Sequence, residues 1–174
     1  MFPRQLKLDV PCSCGYNLRG ICVTGVCPEC AKPINDTINS LPLPLLHPKR
    51  EQIQNECRLL YAPVAKGLGC PIDALFFLVD ALSFTRGMIR SRQHVTSVEL
   101  CFGLREYALV LFDEDADEAR AALKDWNIRS SEDVGKIIFA MIKSGFILPS
   151  EGDNLKDFDS IFSLDTLFTS DNCT

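Results

Sequence analysis

Histidine is scarce in this sequence of 174 residues: only His47 and His94 occur. That scarcity excludes most hydrolase and metalloenzyme frames. No Gly-x-Ser-x-Gly elbow, glycine-rich phosphate loop, His-Glu-x-x-His or paired His–Cys arrangement is present, and the chemistries those motifs support have no residues to carry them. Long apolar runs are also missing. The longest, such as Ala74 to Val79 between Asp73 and Asp80, fall far short of the roughly 20 residues a membrane helix needs. The opening Met1-Phe2-Pro3-Arg4-Gln5 offers no apolar stretch of signal-peptide type, so a cytoplasmic protein without a membrane span is expected. The acids Asp113, Glu114, Asp115, Asp117 and Glu118 lack the spacing of a calcium loop and read as a solvated helix start.

Cysteine, by contrast, is plentiful, with nine in the chain. A secreted miniprotein would use them as disulfides, but their distribution points elsewhere. Cys12, Cys14, Cys22, Cys27 and Cys30 crowd together, while Cys57, Cys70, Cys101 and Cys173 are scattered. Clustering indicates a metal site, and scatter indicates reduced, mostly buried thiols. Cys12-Ser13-Cys14-Gly15 and Cys27-Pro28-Glu29-Cys30 form two knuckles, each able to present two sulfurs to one tetrahedral ion. The stretch Tyr16 to Val26 is long enough for a short β-hairpin turning at Gly20 or Gly25. Four thiolates suit one structural Zn²⁺, which would fold a head with little apolar core of its own. Rubredoxin-type iron uses the same donors, and spacing does not choose between them. The first knuckle is C-x-C rather than C-x₂-C, and Cys22 is a spare thiol that could replace Cys12 or Cys14.

The segment Cys-x-Cys-Gly-Tyr-Asn-Leu-Arg-Gly followed by Cys-Pro-Glu-Cys resembles a zinc ribbon found at the front of many bacterial proteins. The resemblance covers about a fifth of the chain and implies a small accessory module. Residues 71–168 resemble a family of short bacterial proteins of no assigned activity. That match runs through Ala81-Leu82-Ser83-Phe84-Thr85, Gly103-Leu104-Arg105-Glu106-Tyr107-Ala108, Trp126-Asn127-Ile128-Arg129 and Glu132-Asp133-Val134-Gly135. Members of that family lack a zinc head, so the resemblance implies a fusion.

Three parts follow: a zinc ribbon over 1–39, a Pro-rich connector over 40–50 and a helical domain over 51–174. The connector's Pro42, Pro44 and Pro48 forbid a helix. In the body, Pro71 opens a broad apolar helix to about Ser91. Thr96-Ser97-Val98-Glu99 is a capping box for a helix reaching Phe112. Asp115 starts a third helix, and Ser130 or Ser131 starts a fourth that ends at Gly145. Residues 52–61 form a shorter helix, and the apolar tail Leu155–Phe168 docks on the body. The fold class is therefore mainly α, with four to five helices behind a ribbon made of a short β-hairpin and two knuckles. The helices around Asn127–Arg129, with Phe146-Ile147-Leu148 after them, suggest a winged helix in the C-terminal half.

Residues 1–50 carry six Lys/Arg against three acids, and residues 51–174 carry twelve against twenty, so the head stands at +3 and the body at −8. A basic face is what phosphate binding requires. Arg19 in the head and Arg86, Arg90, Arg92 and His94 in the body are the candidate contacts with nucleic acid or another partner, although the presumptive recognition helix begins with Glu132-Asp133. The function expected is a non-enzymatic zinc-binding adaptor or regulatory protein that docks protein partners. The alternatives are a nucleic-acid- or ribosome-associated factor and an enzyme with an unrecognised site. No small-molecule substrate is indicated.

Overall fold

The computed structural model describes residues 3–41, 50–90 and 94–169. Most of the expected connector, residues 42–49, lies outside the described residues, as does Arg92. Among the described residues there are seven α-helices: α1 (Ile34–Asn39), α2 (Arg50–Leu68), α3 (Ile72–Ile89), α4 (Ser97–Leu111), α5 (Ala116–Asp125), α6 (Ser131–Lys143) and α7 (Leu164–Leu167). A 3₁₀ turn, Leu155–Phe158, lies between the last two. The fold is mainly helical, with more helices than the four to five expected. The extra ones are the short α1 and α7, too brief to show a period in the sequence. No single helix among the described residues is long and apolar enough to cross a membrane.

α3 is the buried centre. Ala74, Leu75, Phe76, Phe77, Leu78, Ala81, Phe84 and Met88 are all buried, so the helix is apolar around most of its circumference. α4 packs along it and is set in place by the capping box. The Glu99 N–H donates to Thr96 Oγ1 at 3.2 Å, and the Thr96 N–H donates to Glu99 Oε2 at 2.7 Å. The two helices touch through Gly103 and Thr85. A Cβ on Gly103 would lie 1.9 Å from Thr85 Oγ1, so only glycine permits this approach. Thr85 satisfies its buried hydroxyl by donating to the Ala81 carbonyl at 2.6 Å.

α2 is longer than the expected 52–61, because Pro63 lies inside it rather than after it. Proline removes one helical hydrogen bond, to the carbonyl four residues earlier. Pro63 and Leu59 both sit on the exposed side, where water can serve that group. Only Tyr61 and Ala65 of α2 are buried.

The C-terminal half is not a winged helix. Among the described residues no strand follows α6, and Phe146, Ile147 and Leu148 form no wing. Instead the tail folds back over the start of α6. Ser131 is fully buried and its Oγ accepts the Ile161 N–H at 3.0 Å, while Glu132 Oε1 accepts the Ser160 N–H at 2.9 Å. The Leu164 N–H donates to the Arg129 carbonyl at 2.8 Å. Phe158, Phe162, Leu164, Leu167 and Phe168 are buried, as the apolar tail led one to expect. Gly135 admits the Phe158 ring, which a Cβ there would meet at 2.8 Å. The end of α6 that would have read DNA is thus covered by the chain itself.

The head joins this core. Its inward residues Arg4, Leu6, Leu8, Val10 and Cys12 alternate with outward ones and are at most 2% exposed. Such a period of two marks an extended segment with one buried face. Leu6, Leu8, Val10, Leu18 and Val23 belong to the same buried cluster as the helices.

Candidate metal centre

The extended segment pairs with residues 18–23 rather than leaving them to fold on themselves. The Leu6 N–H donates to the Ile21 carbonyl at 3.0 Å, the Gly20 N–H to Leu6 at 2.7 Å, and the Leu18 N–H to Val10 at 2.9 Å. The β-hairpin expected within Tyr16–Val26 is therefore not formed. Pairing consists of the isolated bridges Gln5↔Cys22, Pro11↔Asn17 and Val26↔Pro33. A hairpin inside the excursion would have left Leu6, Leu8 and Val10 without a backbone partner.

Two of those bridges carry the knuckles. Beyond Pro11↔Asn17, the Cys12 N–H donates to the Tyr16 carbonyl at 2.8 Å, and the Gly15 N–H donates to the Cys12 carbonyl at 2.9 Å. Beyond Val26↔Pro33, the Cys27 N–H donates to the Lys32 carbonyl at 2.8 Å, and the Ala31 N–H donates to the Cys27 carbonyl at 2.9 Å. Both loops need a left-handed residue. The first uses Gly15 at φ +95° and the second uses Ala31 at φ +56°. Lys32 Nζ reaches across to Ser13 Oγ at 2.8 Å, tying one knuckle to the other.

The sulfurs of Cys12, Cys14, Cys27 and Cys30 all lie within 4.8 Å of one another. Cys12 Sγ is 3.5 Å from Cys30 Sγ, and Cys14 Sγ is 3.6 Å from Cys27 Sγ. Cys12 and Cys27 are buried, and Cys14 is exposed. The backbone N–H of Cys14 stabilises the Cys12 thiolate and, with the other sulfurs, pulls that group down to about 6. Cys14 receives the Tyr16 N–H, but partial desolvation within the cluster and the three neighbouring sulfurs outweigh it and push the thiol up to about 12. Four thiolates this close repel one another unless a cation lies among them, and the donor set fits a soft or borderline divalent ion. Cys22 does not belong to the group. It is disulfide-bonded, so it is neither a spare thiol nor a substitute ligand. Of the scattered cysteines, Cys57, Cys70 and Cys101 are free thiols, but only Cys101 is fully buried. Cys173 lies outside the described residues.

Where the head meets the body there is a buried ion network that the sequence reading missed. Glu106 of α4 sits between two guanidiniums. Arg4 Nη2 lies 2.6 Å from Glu106 Oε2, and Arg105 Nη2 lies 3.0 Å from Glu106 Oε1. Arg4 Nη1 also reaches Glu114 Oε2 at 2.6 Å, and Arg105 Nη2 donates to the Gln5 carbonyl at 2.9 Å. Burial opposes the charge on Arg4, but Glu106 and then Glu114 outweigh it, and the pKa of the guanidinium moves up. Among the described residues two arginines face two glutamates, so each buried charge has an opposite one beside it. The available signal was Arg105-Glu106 standing alone in an otherwise apolar turn of α4, together with the alternation from Arg4 to Cys12. A second pair, Arg50–Asp80, lies half-buried beside the Tyr107 hydroxyl, which has no hydrogen bond of good geometry.

The expected contact residues other than Arg92 fall among the described residues. Arg19 is exposed and paired with Asp9 at 3.3 Å. Arg90 ends α3 in the left-handed region, at φ +50°. Arg86 and His94 line a cavity of about 460 Å³ floored by Ile138 and Ile142, but Glu151, Asp153 and Asp157 line it too. Acids on the wall of such a cavity oppose phosphate.

No known protein family, curated protein or solved structure matches this chain. The ribbon and body resemblances therefore rest on their motifs alone.

Proposed function

We propose that this chain is a zinc-binding, non-enzymatic adaptor or regulatory protein, in which a bacterial-type zinc ribbon is joined to a helical body that docks protein partners. The observation that carries the metal part is the set of four cysteine sulfurs within 4.8 Å. Cys12, Cys14, Cys27 and Cys30 would hold one ion, and four thiolates complete a tetrahedron with no position left for a substrate. Zinc is preferred over iron because the motif resembles a zinc ribbon. The docking part is supported by α2, whose Ile53, Leu59 and Leu60 are exposed hydrophobics. Apolar side chains grouped on one exposed helix suit a protein partner better than a polyanion.

The test has two arms. Elemental analysis of protein grown in defined medium should give one zinc per chain, and Cys27→Ser should abolish it. Iron in place of zinc would overturn the zinc reading, and no metal would overturn the ribbon. A parallel pull-down with wild type, Cys27→Ser and Leu60→Glu should enrich one defined protein with wild type only. Equal recovery with all three would remove the docking reading.

A further inference from the structure

Arg4 and Cys12 lie on the same inward face of one extended segment, with Leu6, Leu8 and Val10 between them. The far end of that segment is clamped twice. The Arg4 side chain is held by Glu106 and Glu114, and its carbonyl accepts the Val23 N–H at 2.9 Å. Val23 in turn leads into Gly25, whose carbonyl accepts the Ile34 N–H at 3.1 Å behind the second knuckle. Both chain segments that approach the sulfurs are thus fastened to α4 at this end, by the Arg4 side chain and by Arg105, which donates to the Gln5 carbonyl at 2.9 Å.

We infer that Arg4 is a positioning residue of the metal site. It touches no sulfur. It holds the segments carrying Cys12 and Cys27 at fixed separation, so that a bound ion meets four thiolates already in place. Without the Arg4 clamp the segments splay, and the cage loosens from its open end. Coupling is reciprocal in free energy, so metal in the cage also keeps Arg4 seated over Glu106 and Glu114. This inference rests on the metal reading above.

The test uses the full-length chain loaded with one equivalent of zinc. Transfer of zinc to the chromophoric chelator 4-(2-pyridylazo)resorcinol is followed, with circular dichroism checking that the helices persist. Arg4→Gln should release zinc roughly tenfold faster than wild type, a typical magnitude for coupling between sites. Glu114→Gln, which leaves the Glu106 contact intact, should give a smaller acceleration, and Arg4→Lys should recover part of the loss. Should Arg4→Gln fail to fold, Glu114→Gln decides. Gly103→Ala weakens the body at the α3–α4 contact without touching Arg4, and it should release zinc at the wild-type rate. Wild-type rates in both Arg4→Gln and Glu114→Gln would overturn the inference, as would an equal acceleration in Gly103→Ala. A wild-type chain that takes up no zinc at all fails one step earlier, at the metal reading itself.

Discussion

Arg4 Nη2 lies 2.6 Å from Glu106 Oε2, joining residues 102 positions apart with both side chains 1% exposed. A charge so thoroughly removed from water is tolerated because opposite charges are fixed beside it. Breaking one member is therefore far more costly than the pair is worth. Arg4→Ala should destabilise the fold by roughly 3–5 kcal/mol, the range for removing one partner of a buried ion pair. A shift of the urea midpoint corresponding to under about 1 kcal/mol would indicate that water reaches Glu106.

The α3–α4 contact makes a sharper steric prediction. Gly103→Ala places a methyl 1.9 Å from Thr85 Oγ1, and both helices are core elements with little room to retreat. Overpacking of this kind costs about 1–3 kcal/mol. The double variant Gly103→Ala with Thr85→Ala should recover part of the loss, because it removes Oγ1 and Cγ2 and leaves only the Thr85 Cβ position at 2.7 Å. Thermal melts of the two variants make the comparison, and additive losses would contradict the contact.

Ala31 offers a change in the opposite direction. Its φ of +56° is a left-handed conformation at the second knuckle, where the first knuckle uses glycine. A non-glycine residue there costs about 1–2 kcal/mol of strain, while glycine adds unfolded-state entropy worth about 0.4–1 kcal/mol. Ala31→Gly should therefore stabilise the metal-loaded protein slightly, by up to about 1 kcal/mol. A lower melting temperature in that variant would contradict the assigned backbone conformation.

Acid should loosen the C-terminal tail. Glu132 is held down to about 2 by the Ser130 hydroxyl, then by the Ser160 N–H and its own backbone. A carboxylate depressed in the folded state adds stability above its unfolded value, near 4.3. That stability is lost as pH falls from there through about 2. Hydrogen-exchange protection at Ser160, Ile161 and Phe162, taken relative to the unstructured-chain rate at each pH, should fall over this window. Glu132→Gln should show the lower protection already at pH 7, and the difference from wild type should shrink as pH falls toward about 2. Protection independent of pH in wild type would argue that the Glu132–Ser160 bond contributes nothing.

The C-terminal half shows how local signals mislead. The start of α6 reads as Ser130-Ser131-Glu132-Asp133, and as a local pattern this is a capped, acid-rich helix start open to water. Ser130 makes no side-chain cap bond. Ser131 and Glu132 instead spend their acceptors on the backbone of the tail near Ser160 and Ile161. Short polar side chains satisfy either partner equally well, and no local period tells which will arrive. The length of α2 is a similar case, since whether Pro63 interrupts the helix depends on whether water can reach one carbonyl.

The sequence by itself determined what depends on spacing and on neighbours a few residues away. Two knuckles bring four sulfurs together, Thr96 and Glu99 cap α4, and an apolar stripe makes α3 the central helix. Each of these is encoded within one turn or one short loop, where chain geometry leaves few choices. The tertiary structure decided which segment pairs with residues 18–23, which end of α6 is covered, and that Arg4 finds Glu106. Those outcomes join residues far apart in the chain. They are selected by the need to satisfy every buried charge and backbone group at once, a condition that belongs to the whole fold.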